Sequence, residues 1–179
     1  AFRLNAPINT SGNEGAISLS ANGMLLVFTA CERRSGYGDC DLYFSYKFED
    51  WSNPVNIGEN INSKKSDKQP SLSSDGKYLY FVSNRKGGYG GLDIWKTEIT
   101  YTKNGQIRFM KPVNLGPTIN TRYDEMSPFI HTDNLTLYFA SNGHVGMGNY
   151  DLFLSRRVTS QGNWCNPINL GYPINTYKT

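Results

Sequence analysis

The apolar positions of this chain come in short runs broken by glycine, asparagine and aspartate, and none of the runs keeps helical spacing. Met24–Ala30, Tyr78–Asn84 and Leu135–Asn142 are rich in aliphatic and aromatic side chains. A strand with one wet face alternates apolar and polar residues, whereas Met24-Leu25-Leu26-Val27-Phe28 is apolar on both faces. The pattern therefore predicts strands covered on both sides. Each run follows a turn pair, Asn22-Gly23, Asp75-Gly76 or Asp133-Asn134, of the kind that tolerates the positive φ of a tight hairpin. Each run leads through a glycine loop into a second strand opening on an acid: Asp41–Tyr46, Asp93–Glu98 and Asp151–Arg156. In the middle of the chain, strands are expected near Gln69–Ser73, Tyr78–Ser83 and Leu92–Glu98, with a fourth inside Ile107–Asn114.

These landmarks recur together. The string LNAPIN returns as IGENIN, LGPTIN and LGYPIN, placing its isoleucine at Ile8, Ile61, Ile119 and Ile174. The glycine loops Gly36-Tyr37-Gly38, Gly88-Tyr89-Gly90 and Gly146-Met147-Gly148 keep phase with it. So do the closing aromatic-x-x-proline steps Trp51–Pro54, Phe109–Pro112 and Trp164–Pro167. A repeat of this length, with hairpin chemistry and no helix, predicts an all-β protein, a β-propeller of four-stranded antiparallel blades. The blades are expected at 4–56, 57–114 and 115–169, with the start of a fourth at 170–179, all in one propeller segment spanning 1–179. A parallel β-solenoid is the main alternative, but its turns are shorter and lack the hairpin pairs. Propellers close with about four to eight blades. The chain therefore reads as part of a longer protein, an incomplete ring with bare outer faces on its first and third blades. Leu25, Val27, Leu152 and Leu154 are expected on those faces, and residues 1–179 alone to associate or melt weakly.

Composition narrows the function classes. A net charge of +3, with basic residues scattered apart from Lys64, Lys65 and Lys68, is not the basic stripe of a nucleic-acid binder. No apolar run is long enough for a membrane helix, and the first residues carry no signal-peptide pattern. Any targeting signal or lipid anchor would lie outside these residues.

SLSSDGKYLYFVSNRKGGYGGLDIWKTE, SPFIHTDNLTLYFASNGHVGMGNYDLFLSRR and ISLSANGMLLVFTACERRSGYGDCDLYFSYK, with NLGPTINTRYDEMSPF and NLGYPINT, resemble the TolB-like, WD40-like propeller repeat known as PD40. They look like the propellers of Bacteroidetes envelope proteins. In those, such a propeller often sits beside helical repeats and an OmpA-like peptidoglycan-binding domain, and some belong to the type IX secretion machinery. The resemblance covers essentially the whole chain and implies a periplasmic, outer-membrane-associated protein. It implies protein partners in the envelope, with any peptidoglycan association belonging to domains outside these residues. No OmpA-like segment is present, so that binding transfers to no residue here.

Candidate chemistry is sparse. Cys31 and Cys40 flank the loop between the second and third strands of the first unit, where a hairpin opens, so a disulfide is geometrically reasonable. A bridge there would point to an oxidising compartment. Cys165 has no evident mate and is expected to be a buried free thiol. Asp41, Asp93 and Asp151 end the repeated G-x-G-x-x-D loop. A phosphate cradle would need a helix to follow, and a hard cation would need more oxygens, so their expected role is to accept loop N–H groups. No metal and no cofactor is expected. No nucleophile elbow or zinc-helix motif exists, and the candidate carboxylate pair, Asp124-Glu125, is expected to point to opposite strand faces. His131 and His144 have no counterparts in the other units, and a solvated loop is expected for His144. A binding surface is expected on the loops between strands two and three, with Arg33, Arg34, Tyr37, Arg85, Lys86, Tyr89, His144 and Met147. The resulting expectation is a non-catalytic interaction scaffold. The alternative is the propeller portion of a glycan- or peptide-cleaving enzyme or a carbohydrate-binding module.

Overall fold

Hairpin turns and β-branched and aromatic runs fold as the period demands. The computed structural model describes residues 4 and 6–177 and holds thirteen strands and no helix among them. The first sheet contains β1 (Asn13–Leu19), β2 (Leu25–Cys31), β3 (Cys40–Tyr46) and β4 (Val55–Asn56), hydrogen-bonded in that order. The second contains β5 (Asp67–Leu72), β6 (Tyr78–Ser83), β7 (Asp93–Tyr101), β8 (Ile107–Phe109) and β9 (Val113–Asn114). The long β7 pairs with β9 through Trp95 and Lys96, and with β8 from Ile99 to Tyr101, so the expected fourth strand is here split in two. The third sheet contains β10 (Glu125–Ile130), β11 (Thr136–Ser141), β12 (Asp151–Arg156) and β13 (Ile168–Asn169), again in chain order. Every pairing is antiparallel.

The first strands of successive sheets lie side by side. Each carries a bulge at the same repeat position, with Ala16, Gln69 and Ser127 at φ of 41°, 54° and 52°. A bulge turns an N–H out of the ladder. Gln69 N–H is thereby free to donate to Thr29 Oγ1 in the preceding sheet (3.0 Å), and Ser127 N–H to Gln69 Oε1 (2.9 Å). Leu72 N–H donates to Ser18 Oγ at 2.8 Å and Ile130 N–H to Ser71 Oγ at 3.0 Å. Sheets are thus stitched edge to edge along their inner strands.

Both faces of β6 are covered. Leu79 and Phe81 pack on Leu25, Val27, Leu42 and Ile61 of the first interface. Tyr78, Tyr80 and Val82 look the other way, toward Ile119, Ile130, Leu137, Phe139 and Phe153. Leu25 and Val27 therefore face the second sheet and are buried; the expectation that they form the outer face of the first sheet is corrected. Successive strand residues alternate sides, and the outward pair is Leu26 and Phe28, covered by Leu4, Ile8 and Trp51. The far side of the third sheet is open. Leu42 and Ile94 are 0% exposed, but their counterpart Leu152 is 41% exposed. Ile61 and Ile119 are likewise 0% exposed, against 57% for Ile174.

One motif fixes each sheet to the chain that follows it. After β4, Asn56 Oδ1 caps Gly58 N–H (2.8 Å), and the turn delivers Asn62 against the middle of β3. Asn62 accepts from Leu42 N–H, donates to Leu42 C=O, both at 2.9 Å, and donates to Asn56 Oδ1 at 2.8 Å. Asn120 repeats this on Ile94 and Asn114, and Asn175 on Leu152 and Asn169. The Ile-Asn pair that ends each repeated string, at Asn62, Asn120 and Asn175, is this clamp.

Candidate interaction face

The β2–β3, β6–β7 and β11–β12 loops gather at one end of the sheets. Their glycines have steric causes. A Cβ on Gly36, Gly88 or Gly146 would fall within 2.3 Å of the carboxylate of Asp41, Asp93 or Asp151. A Cβ on Gly38 would lie 1.8 Å from Lys65 C=O, and one on Gly90 2.0 Å from Tyr123 C=O. The first glycine of each pair makes room for its own aspartate. In these two loops the second makes room for the backbone of the next repeat.

Those aspartates are buried and hold the loops. Asp41 accepts from Tyr37 N–H (2.7 Å) and Gly38 N–H (3.3 Å). Asp93 accepts from Tyr89 N–H (2.6 Å) and Gly90 N–H (3.1 Å), and Asp151 from Met147 and Gly148 N–H. Burial pushes the Asp41 carboxyl above its ordinary value, against the loop N–H bonds, and the nearby Asp67 adds to the rise. Cys31 and Cys40 are directly paired across the open end of the β2–β3 hairpin and are joined by a disulfide. Cys165 is a free thiol but exposed, not buried. Its neighbour Trp164 turns inward against Tyr80 and Arg157, which leaves Cys165 outward.

The structure divides the eight loop residues singled out by sequence. Arg33, Arg85 and His144 turn inward and occupy one repeat-equivalent niche. Arg33 pairs with Glu14 at 2.9 Å and stacks on Tyr43 with its guanidinium carbon 4.8 Å from the ring centre. Arg85 pairs with Asp67 and Ile61 C=O and lies over Phe81 and Trp95 at 5.0 and 5.2 Å. His144 puts Nε2 2.8 Å from Ile119 C=O and packs its ring against Phe139 and Phe153, so it is not a solvated loop residue. Arg34, Tyr37, Lys86, Tyr89 and Met147 point to solvent, with Tyr37 and Tyr89 about half exposed at 48% and 52%.

The inward cations expose a set of residues that the sequence reading missed. Glu14, Asp67 and Glu125 each head the first strand of a sheet, six residues after the repeat isoleucine, a spacing visible in the sequence. Each accepts from the backbone and hydroxyl of the residue four positions before it: Thr10, Ser63 and Thr121. Glu125 takes Ser141 Oγ (2.7 Å) where the other two take arginine. Burial would raise the Glu14 carboxyl, but the bonds from Thr10 and Arg33 outweigh it and hold it below its ordinary value. Asp124 is half-buried, accepting from Leu92 N–H (2.8 Å) and Tyr150 hydroxyl (3.0 Å). Each of these carboxylates is engaged by hydrogen bonds from the chain itself. Among the described residues no cluster of His, Cys, Asp or Glu could hold a metal ion.

The loops and the post-clamp segments form a continuous belt. Ser66 N–H donates to Asn84 Oδ1 (2.9 Å), Gly91 N–H to Tyr123 C=O (2.9 Å), and Asp124 N–H to Asn142 Oδ1 (2.9 Å). Exposed on this belt are Arg34, Lys64, Lys65, Lys86 and Arg122, interleaved with Tyr37, Tyr89 and Tyr123. Arg122 lies over the Tyr123 ring at 4.9 Å. The exposed carboxylates of the same segments are Glu32 and Asp39.

No family model and no curated protein matches the chain. Solved structures do. TolB from Acinetobacter baumannii is 16% identical, with a TM-score of 0.52 over 86% of this chain and 32% of that one. Trypanosoma rangeli sialidase in complex with the inhibitor DANA is 15% identical, with a TM-score of 0.53 over 86% of this chain and 30% of that one. Xylan β-1,4-xylosidase from Bacillus halodurans C-125 is 21% identical, with a TM-score of 0.52 over 91% and 31%. The chain spans about a third of the length of each. The likeness shows the fold, an all-β chain of antiparallel propeller blades; among the described residues no strand of the first blade packs on a strand of the third, so the propeller is open. No helix among the described residues is long and apolar enough to cross a membrane.

Proposed function

We propose that the chain is a non-catalytic interaction scaffold of the bacterial envelope, periplasmic and outer-membrane-associated, that binds protein partners through the loop face. The observation that carries this reading is the belt itself. Its tyrosines and cations are exposed, while the backbone beneath them is fixed by buried aspartates and by inter-blade hydrogen bonds. Tyrosine and arginine on a rigid frame contribute binding area at low entropic cost. Asp41, Asp67, Asp93 and Glu125 are engaged in hydrogen bonds inside the chain. The Cys31–Cys40 bridge supports an oxidising compartment. Arg34, Tyr37, Lys86, Tyr89 and Met147 are the proposed contact residues; Arg33, Arg85 and His144 support them from beneath.

A photo-crosslinking amino acid at Tyr37, Tyr89 or Met147, in cells that make the protein, tests this. Adducts with envelope proteins are expected there and not from Asn22 or Asp75, in turns at the opposite end of the blades. The propeller portion of a hydrolase is the competing reading, since two of the structural neighbours are a sialidase and a xylosidase. Hydrolysis of a glycan or peptide by the purified chain, abolished by one carboxylate substitution, would replace the scaffold reading.

A further inference from the structure

The two blade interfaces are built on the same plan but not from the same residues. On the outer part of the first, Phe44 of β3 meets Ile99 and Phe109 of the second blade, with Phe44 and Phe109 ring centres 5.9 Å apart. At the equivalent positions of the second interface stand Lys96, Arg157 and Trp164. Register fixes the equivalence: Val27 pairs with Phe44 as Tyr80 pairs with Lys96. Ile99 N–H donates to Lys77 C=O as Arg157 N–H donates to Leu135 C=O. Thr97 Oγ1 bonds the carbonyl after Phe109 as Ser155 Oγ bonds the carbonyl after Trp164. An apolar contact has become a cationic one.

This second interface opens as a cleft of about 400 Å³. Lys96 and Arg157 both line it, and no carboxylate does. Arg157 is 2% exposed. Its Nε and Nη2 donate to Asn134 C=O, Nη2 also donates to the Tyr80 hydroxyl, and its guanidinium carbon lies 4.6 Å from the centre of the Trp164 ring. Its Nη1 makes no hydrogen bond among the described residues. Buried guanidinium groups are ordinarily paired with an acid, and no ion pair is formed by Arg157 or Lys96 within the described residues. Lys96 sits 4.6 Å over the Tyr78 ring, and Gln161 Nε2 donates to the Tyr78 hydroxyl, which fixes the wall beside it. Burial, and then repulsion from Arg157, lowers the Lys96 pKa, while Glu98, exposed two residues along the same strand, opposes the fall. Gln161, Asn163 and Thr118 add neutral polar groups to the lining.

We propose that this cleft binds a small oxyanion, the phosphate or carboxylate group of a ligand, between the Lys96 ammonium and the free edge of the Arg157 guanidinium. Arg157 offers a planar fork held rigid by Trp164 and Asn134, and Lys96 offers a point charge, the pair that oxyanion recognition uses. The site is separate from the loop face and does not depend on it.

Calorimetric titration of the 179-residue chain with inorganic phosphate and with glucuronate, each against sodium chloride at matched ionic strength, tests the proposal. Saturable binding of one or both is expected: phosphate alone assigns a tetrahedral group, glucuronate alone a carboxylate, and both a general oxyanion site. Lys96→Gln should weaken binding about tenfold, the loss of one charge-assisted hydrogen bond. Lys103→Gln, in an exposed turn, should leave it unchanged. Arg157→Met should abolish binding; if that variant does not fold, Lys96→Gln decides. Absence of saturable binding of either anion, or a Lys96→Gln chain that binds as tightly as the wild type, overturns the proposal.

Discussion

Asn62, Asn120 and Asn175 make the same three hydrogen bonds in three successive blades, but the surroundings differ, and alanine at each should expose that difference. Asn120 satisfies both backbone groups of Ile94, at 2.8 and 2.9 Å, under a residue that is 0% exposed. Removing its amide leaves a buried N–H and a buried C=O without partners, at about 1–3 kcal/mol each. Asn120→Ala should therefore cost about 3–5 kcal/mol once the small cavity is included, a large share of a domain's stability. Asn62→Ala should cost the same, since Leu42 is equally covered. Asn175 makes equivalent bonds to Leu152, at 2.8 and 2.9 Å, and is itself only 2% exposed, but Leu152 is 41% exposed. Once the amide is removed, water reaches the Leu152 backbone beside that exposed side chain, so Asn175→Ala should cost about 1 kcal/mol. Urea unfolding at submicromolar protein, followed by tryptophan fluorescence, reads these differences as shifts in midpoint at constant slope. Equal losses at Asn120 and Asn175 would refute the reasoning, because they would mean the third blade is sealed as the second is.

Other outcomes follow from single contacts. Gly90→Ala should destabilise by about 3 kcal/mol or more, since its Cβ would lie 2.0 Å from the Tyr123 carbonyl and backbone must move; Gly15→Ala, with open space around its Cβ, should fall within about 1 kcal/mol of wild type in the same unfolding assay. Burial tends to raise the Asp133 carboxyl, but bonds from Leu135 N–H and from the Thr136 hydroxyl and N–H, together with His131, hold it at about 2. A depressed carboxylate stabilises the fold above its ordinary value of 3.8, and that stability is lost as pH falls toward about 2. The urea-midpoint difference between wild type and Asp133→Asn should thus be full at neutral pH and shrink below 3.8. Non-reducing mass spectrometry should find Cys31 joined to Cys40 and Cys165 alkylatable; breaking the bridge with Cys31→Ser should cost about 2–3 kcal/mol in the chain-entropy view.

The blade plan is readable in the sequence because its landmarks are steric or hydrogen-bonding necessities. Gly88 and Gly90 are glycine because an aspartate carboxylate and a neighbouring carbonyl stand where side chains would go. Asn120 recurs because a buried strand needs its backbone satisfied. What the sequence hides is parity and direction. Met24-Leu25-Leu26-Val27-Phe28 is apolar throughout, so only packing on Leu79 and Phe81 of the second sheet assigns Leu25 and Val27 to the covered interface. Arg33 and Arg85 look like loop contacts because their acids, Glu14 and Asp67, lie 19 and 18 residues away in the chain. The six-residue spacing from Ile8, Ile61 and Ile119 to those acids was available, but an acid at a strand start has no meaning until its cation is seen to turn inward. The cleft at Lys96 and Arg157 was invisible for a related reason: its members come from two blades, and only their departure from Phe44 and Ile99 marks them.

The open third blade is the claim on which the architecture rests, and light scattering of the 179-residue chain across a range of concentrations tests it most directly. Leu152 and Ile174, 41% and 57% exposed, occupy positions that are fully covered in the other blades, so the chain should self-associate as concentration rises. Leu152→Asp with Ile174→Asp should return it to a monomer without loss of its β-sheet circular dichroism. A wild-type chain that remains monomeric at every concentration and melts in one sharp transition would contradict the account, because three blades would then have sealed themselves.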